Sequence, residues 1–416
     1  MDTVLLRSWR FLIAFQYRWV LRQPADTLDR GPARLAPVFA RSPMLFPLLA
    51  ALQYRMTAAP PTDGCPIWVT HRSSKIERAL RDLGEAFGRS LEARAPRRRH
   101  AAFSAVLSPR LVTRIVRLVA RRAHRLDRHV QRSLVQMLLE YAALCRIFAR
   151  SPPALVLVPC DLSPRRIALG AAAERRGVPC LYLQLSLFNT YAPPFRPDMA
   201  VVVNSQAERS LAAIGAATLR RSVGEGVPQL RFRAEPPRRI GVVLNNYIRP
   251  EKLEGSLIRL RRQFPEAAFI LRPHPNSRHR LRPMPEGFLL DSPGRDLAAF
   301  ADEIDLAIVG NSVAQLDLLG LGLPVVHLDG LDEIAFDHCG FVAEGLVFGA
   351  ATAAEIEFGR VRAFYVRPSW RPRLLERLGV LPDPRPRGRE REALQRWLHD
   401  CLDHEPFRGR PACAAS

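Results

Sequence analysis

The sequence predicts an α/β protein of two doubly wound, Rossmann-like parallel-sheet domains facing a cleft, with a helical N-terminal extension. Three observations lead there. At 416 residues the chain exceeds the usual size of a single domain. From Ala154 onward, short β-branched apolar runs alternate with amphipathic stretches of about ten to fifteen residues, the pattern of βαβ units and a parallel sheet. That alternation breaks once, at Arg233–Arg239, where Pro236 and Pro237 stand between charged residues, and then restarts. The expected division is therefore an N-terminal domain with a basic helical region over residues 1–233, a second Rossmann-like domain over residues 238–360 and a helical tail over residues 361–416.

In the first half, ALVLVPCD from Ala154 reads as a strand. SPRRIALGAAAERRG follows as a helix capped by Ser163, and VPCLYLQ as the next strand. MAVVVNS is a strand and SQAERSLAAIG a helix ended by Gly215, after which LRRSVGEGVPQ closes the half. Beyond the break come RIGVVLNN (strand), PEKLEGSLIRLRRQF (helix), AAFILRP and GFLLDS (strands), DLAAFADEI (helix), LAIVG (strand), SVAQLDLLGLG (helix) and PVVHLD (strand). Upstream of Ala154, CPIWVTH reads as a strand, and residues 75–95 and 109–150 read as helical. The N-terminal VLLRSWRFLIAFQYRWVLRQP intersperses apolar and aromatic residues with arginines. It suits an amphipathic helix, either packed on its own domain or lying on an anionic bilayer surface.

The formal net charge is +22, and only Lys75 and Lys252 are lysines, so the basic charge is almost all arginine. Such a surface attracts anions of any kind: phosphorylated substrates, an acidic leaflet or nucleic acid. The seven cysteines include no CxxC pair and no zinc-ligand spacing, which fits a reducing cytoplasm. No run of about 18 uncharged apolar residues occurs, so a transmembrane helix is not expected. Nucleic-acid binding has only the charge in its favour, since no zinc finger, RNP-type aromatic motif or basic zipper is present.

Three segments of the second half end where ligands of open parallel sheets collect, beyond the carboxyl ends of the strands. In ILRPHPNSR, Pro273 and Pro275 restrict the backbone on both sides of His274, lowering the entropy cost of fixing one imidazole. That ring can hydrogen-bond a phosphate or protonate a leaving oxygen, with Arg272 and Arg278 adding charge-assisted bonds. The plainer reading is a turn histidine between two prolines. In LAIVGNSVAQ, a tight turn at Gly310 leads into a helix starting at Asn311–Ser312, whose unpaired N–H groups and serine hydroxyl suit an anion. Ordinary N-capping is the alternative. In LDGLDEIAFDHCGF, the carboxylates of Asp329, Asp332, Glu333 and Asp337 follow the last strand and suit ribose or sugar hydroxyls, or are simply solvated. No metal-ligand spacing stands out.

LRPHP, followed some forty residues later by VGNSVAQLDLLGLGLPVV, resembles the HP and serine motifs of GT-B glycosyltransferases that use CMP-activated acidic sugars. These are the bacterial sialyl- and Kdo-transferases, with the related CDP-glycerol glycerophosphotransferases. PCDLSPRRIALGAAAERRGVPCLYLQ is similar to the acceptor-side segment of capsule and teichoic-acid enzymes of that superfamily, and RRSVGEGVPQLRF to the Gly–x–Pro segment that closes their first domain. The resemblance spans roughly Ala154 to Val347. It implies metal-independent transfer of a sugar or polyol phosphate from a nucleotide donor, a cytidine nucleotide by this pattern, to a surface polysaccharide or lipid-linked glycan, at the inner face of the cytoplasmic membrane. No cofactor is implied, the nucleotide-sugar being substrate.

By that resemblance His274 contacts the donor phosphate and assists departure of the nucleotide, while Ser312 with Asn311 binds phosphate. The general base is drawn from parallel-sheet geometry instead: Asp161, at the end of a first-domain strand, with Glu225 as second choice. The chain departs from its capsule relatives at Gln184–Leu185–Ser186, where they carry Gln–His–Gly, and it lacks the acidic-acidic-glycine triplet of the sialyltransferases. A nucleotide-sugar epimerase of the same architecture and a non-catalytic relative are the alternative readings.

Overall fold

A computed structural model describes residues 3–20, 67–69, 93–94, 108–122, 128–159, 163–184, 192–220, 227–233, 236–245, 248, 250–274, 286–292, 294–332, 334, 337–380 and 387–403, with scattered positions between 47 and 84. Asp161, Glu225 and Arg278 lie outside the described residues, as does most of the stretch 75–95 read as helical. The chain forms two compact units, each built on a six-stranded parallel sheet.

The first unit contains α1 (Thr3–Val20), β1 (Ile67–Trp68), β2 (Ala93–Arg94), α2 (Pro109–Arg122), α3 (Arg128–Arg150), β3 (Leu155–Pro159), α4 (Pro164–Arg176), β4 (Cys180–Leu183), β5 (Met199–Val202), α5 (Ser205–Ala212) and β6 (Ala217–Arg220). Its strand order is β2-β1-β3-β4-β5-β6. All residues of β3, β4 and β5 are buried, as expected of strands covered on both faces. Alternation divides them: Leu155, Leu157, Leu181, Leu183, Met199 and Val201 share one core cluster, and the residues between them point to the opposite face.

α1 rests on α3 and α4 with Trp9 and Leu12 buried, and Arg7 reaches Glu174 at 2.6 Å. Of the two readings of this helix, packing on its own domain is the one the structure displays. The arginine-rich stretch from residue 109 resolves into α2 and α3. In α2, Ile115, Val116 and Val119 are buried, and Arg110, Arg114, Arg117 and Arg121 are exposed. Ser163 occupies the N-cap position of α4 without a side-chain cap bond, and a proline follows it inside the first turn.

The second unit contains β7 (Arg239–Val243), α6 (Pro250–Gln263), β8 (Ala268–Arg272), β9 (Phe288–Leu290), α7 (Leu297–Glu303), β10 (Leu306–Val309), α8 (Ala314–Gly320), β11 (Val325–Leu328), β12 (Phe348–Ala350), α9 (Phe358–Tyr365) and α10 (Trp370–Arg377). The order β12-β11-β10-β7-β8-β9 means that the chain winds outward from β7 through β8 to β9, then returns to β7's other side and winds outward again through β10, β11 and β12. Such a sheet has a topological switch point between its two central strands, here β7 and β10.

The last described element, α11 (Arg387–Asp403), returns to the first unit, where Leu394 and Leu398 join the cluster on β1, β3, β4 and β5. Burying each leucine contributes roughly 1.5–3 kcal/mol. The expected domain limits are corrected in two places. The units divide at Arg221/Ser222 and not at 233, and the tail is split, α9 and α10 remaining with the second unit and α11 with the first. The shift has a visible cause. Residues on the near side of the proline break are fastened to the second unit by Arg231 N–H on Gly322 O at 2.8 Å and by Arg371, which donates to Val227 O at 2.5 Å.

Candidate functional site

The sheet register sets the site. Arg272, Val243, Val309 and His327 are paired in one row across β8, β7, β10 and β11. The residues that follow each of them therefore emerge together at the carboxyl edge of the sheet: His274 after β8, Asn245 after β7, Gly310–Ser312 after β10 and Asp329 after β11. His274 is half-buried. One strand, β7, separates it from the Gly310 turn, so the two loops spring from strands about 10 Å apart, two spacings of the ladder.

The turn after β10 is held from below by one buried carboxylate. Asp332 Oδ2 accepts from Asn311 N–H and from Asn245 Nδ2, both at 2.7 Å. Its Oδ1 accepts from Ile334 N–H at 2.8 Å and Asn311 Nδ2 at 3.4 Å. Burial pushes the Asp332 carboxyl above its ordinary value, and the N–H groups of Asn311 and Ile334 oppose that shift by favouring the ionised form. Asn311 adds two more ties, donating to Ile334 O at 3.2 Å and accepting from His338 N–H at 2.7 Å. Asn311 thus shapes the loop instead of offering its side chain to a ligand.

Gly310 is required by closeness. A Cβ there would lie 2.4 Å from Asp332 Oδ2. Gly310→Ala is therefore expected to cost about 1–3 kcal/mol by overpacking, read as a fall in the urea unfolding midpoint, and to displace the turn.

The helix after this turn starts later than the sequence suggests. α8 begins at Ala314, whose N–H is capped by Ser312 Oγ at 3.2 Å. Gln315 N–H is taken by Ser312 O at 3.3 Å, and Asn311 N–H by Asp332. The amides of Ser312 and Val313 have no hydrogen bond among the described residues. Two consecutive free N–H groups beside a hydroxyl that retains its own proton make a small anion-binding nest. The free N–H groups expected of a helix start belong, in this structure, to the turn before it.

Arg272, expected as a phosphate ligand, is engaged elsewhere. Its guanidinium pairs with the buried Asp291 carboxylate, donates to Arg295 O at 2.6 Å and lies 5.0 Å from the Phe300 ring centre. It braces β8 against the loop between β9 and α7. Asp329, by contrast, keeps a side chain 46% exposed, bonded to His327 Nε2 at 3.1 Å. Of the other acids after β11, Asp337 accepts the N–H groups of Val342 and Ala343, both at 2.9 Å, and Glu333 lies outside the described residues. Among the described residues, no group of three His, Cys, Asp or Glu side chains is placed to hold a metal ion, and no helix is long and apolar enough to cross a membrane.

Sequence reasoning missed Asn245, Gln315 and His327. Asn245 was visible only as part of an apolar strand ending in Asn–Asn, and His327 only as one polar residue within PVVHLD.

No protein-family profile and no curated protein sequence matches the chain. Solved structures do. The UDP-GlcNAc 2-epimerase of Neisseria meningitidis aligns over 80% of this chain and 98% of its own, at 14% identity and a TM-score of 0.45. The glycosyltransferase SnogD of Streptomyces nogalater aligns over 80% and 98%, at 15% identity and 0.41. The UDP-N-acetylglucosamine 2-epimerase of Rickettsia bellii aligns over 81% and 89%, at 12% identity and 0.41. At these values the likeness says nothing of substrate.

Proposed function

We propose that the second unit binds a nucleotide-activated sugar and that the chain is a glycosyltransferase of the GT-B type, moving a sugar or polyol phosphate from a cytidine nucleotide to a surface polysaccharide or lipid-linked glycan. The observation that supports this most directly is the nest at Ser312–Val313. It lies at the switch point of a 3-2-1-4-5-6 sheet, where nucleotides bind in this architecture, with His274 on one side and Asp329 on the other. The motif resemblance adds the cytidine nucleotide and the polymer acceptor.

In this reading the donor phosphate receives the N–H groups of Ser312 and Val313 and the Ser312 hydroxyl. His274 donates to the same phosphate and delivers a proton as the nucleotide leaves, so no metal ion is needed to offset the departing charge. Asp161 of the first unit, with Glu225 as second choice, takes the acceptor hydroxyl's proton. The excess of arginine suits an acidic glycan or a lipid-phosphate acceptor at an anionic membrane face.

A thermal-shift panel of nucleotides tests the donor. A ligand at about 100 times its dissociation constant adds about 2.7 kcal/mol of stability, so CMP or CDP is expected to raise the melting temperature more than UDP, ADP or GDP. UDP acting best points to an epimerase or another transferase, and no response from any nucleotide removes the donor site. His274→Ala is expected to lower turnover by about 10²–10⁴-fold without moving the melting temperature, the range for loss of one proton-transfer group. Unchanged turnover removes His274 from the mechanism.

A further inference from the structure

Beneath Asp329 lies a chain of contacts that the proposed chemistry does not use. Gln315 is wholly buried, and its Nε2 lies 2.5 Å from Gly310 O and 2.9 Å from His327 Nδ1. A carbonyl oxygen only accepts, so the amide nitrogen must face it. The second N–H of that nitrogen then points at His327 Nδ1, which accepts. The imidazole proton is thereby placed on Nε2, 3.1 Å from Asp329 Oδ1. One tautomer satisfies all three contacts. The backbone of the Gly310 turn and the exposed carboxylate of Asp329 are linked through two side chains that are both buried.

We propose that His327 is a positioning residue that aims the Asp329 carboxylate at the ribose hydroxyls of the bound nucleotide, in fixed relation to the Gly310 turn that holds its phosphate. The proposal rests on the nucleotide-donor reading and adds residues and a substrate group to it. Two features favour ribose. β10, α8 and β11 form a βαβ unit with its glycine turn after the first strand and an acid after the second, 19 residues on (329 − 310). Dinucleotide-binding folds place the acid that takes the ribose 2′-hydroxyl about 20 residues after their glycines, also at the end of the second strand. An anion this near a phosphate nest also repels the phosphate unless its oxygens accept hydrogen bonds, and a ribose joined to that phosphate brings two hydroxyl donors. Cytidine and uridine donors carry a ribose, whatever they transfer.

The test uses the full chain and isothermal titration with CDP and 2′-deoxy-CDP, and with UDP and 2′-deoxy-UDP. Wild type is expected to bind the ribonucleotide at least tenfold more tightly than its deoxy partner. His327→Asn keeps an amide at the Nδ1 position for Gln315 and loses the donor to Asp329, so it is expected to erase that preference while deoxynucleotide affinity stays within about twofold. His327→Gln reaches the Nε2 position and is expected to retain the preference. Asp329→Ala alters a half-exposed side chain and reports even where a His327 variant does not fold. It is expected to erase the preference alone, and adding His327→Asn to it is expected to change nothing further.

Equal weakening of ribo- and deoxynucleotides by His327→Asn assigns the histidine to plain structural support and overturns the proposal. So does an undiminished ribose preference in Asp329→Ala. Absence of all nucleotide binding in wild type is a different result: it removes the donor site itself, and this role with it.

Discussion

Asp332→Ala is expected to lower the stability of the second unit by on the order of 4 kcal/mol, read as a fall in the urea midpoint at unchanged slope. The side chain is buried and receives hydrogen bonds from Asn245, Ile334 and both the backbone and side chain of Asn311. Removing it strands four N–H groups in a site closed to water, and each buried donor left without a partner costs about 1–3 kcal/mol. The costs overlap because Asn311 supplies two of the donors, so the sum is below the simple total. Asp332→Asn is expected to cost nearly as much, since one of its two positions then presents N–H to N–H. Because the carboxylate holds Asn311 and Gly310 in place, the proposed donor site predicts that both variants also lose nucleotide binding. A variant within about 1 kcal/mol of wild type that still binds nucleotide refutes the view that this carboxylate organises the turn.

The second large effect concerns the first unit and is a dependence on pH. Glu140, on α3, is 4% exposed and its Oε2 has no hydrogen-bond partner among the described residues. Burial raises its carboxyl from 4.5 to about 7, opposed by the charge of Arg165. The folded state therefore holds this proton more tightly than the unfolded chain. Between pH 4.5 and about 7 the native form binds more protons than the unfolded form, so stability falls as pH rises through that window and stays lower above it. Glutamine has the same shape and no charge to bury. The stability of Glu140→Gln relative to wild type is expected to be flat below about pH 4.5, to climb through the window and to level off above pH 7, with a gain of roughly 3 kcal/mol there. Denaturant unfolding of both proteins from pH 4 to 8.5 measures the difference. A difference that does not vary with pH shows that folding leaves the Glu140 carboxyl at its ordinary value and overturns this account.

Most of the architecture was legible because both sheets are parallel and covered. Buried strands such as β3, β4, β5 and β10 appear in the sequence as unbroken apolar runs bounded by turn residues. The strands that escaped notice lack that mark. β6 is Ala217–Arg220, a short run ending in arginine, and β12 is Phe348–Ala350 with a glycine at its centre. Residues 93–94, inside a stretch read as helical, form the edge strand β2, where two residues of pairing leave no periodicity to detect.

The site was legible only in its local parts. His274, Gly310, Ser312 and Asp329 stand next to strand ends, and strand ends can be read from pattern. Their supports cannot, because the partners are remote in sequence. Asn245 and Asp332 are 87 residues apart, and Gln315 and His327 are 12 apart on different elements. The position of Arg272 at a strand end gave no sign that Asp291 neutralises it, since that pairing depends on how the β9–α7 loop returns to β8. The helix after Gly310 was placed too early because Asn–Ser is a common cap signal, whereas here Asn311 is drawn into the Asp332 network and the first turn of helix begins beyond it.

The placement of α11 has a consequence for how the molecule is made. Its leucines complete a core whose other members lie before residue 202, while residues 222–382 form the other unit in between. During synthesis the inserted unit emerges in full while its host still lacks part of a wall, and one apolar face of the earlier sheet, with Ile76 and Leu80 on it, waits incompletely covered through more than a third of translation. The guest is thus ready before the host, and a ribosome that stalls or terminates ahead of Leu394 releases a chain with one finished half and one sticky, open half, the form that chaperones and proteases recognise first.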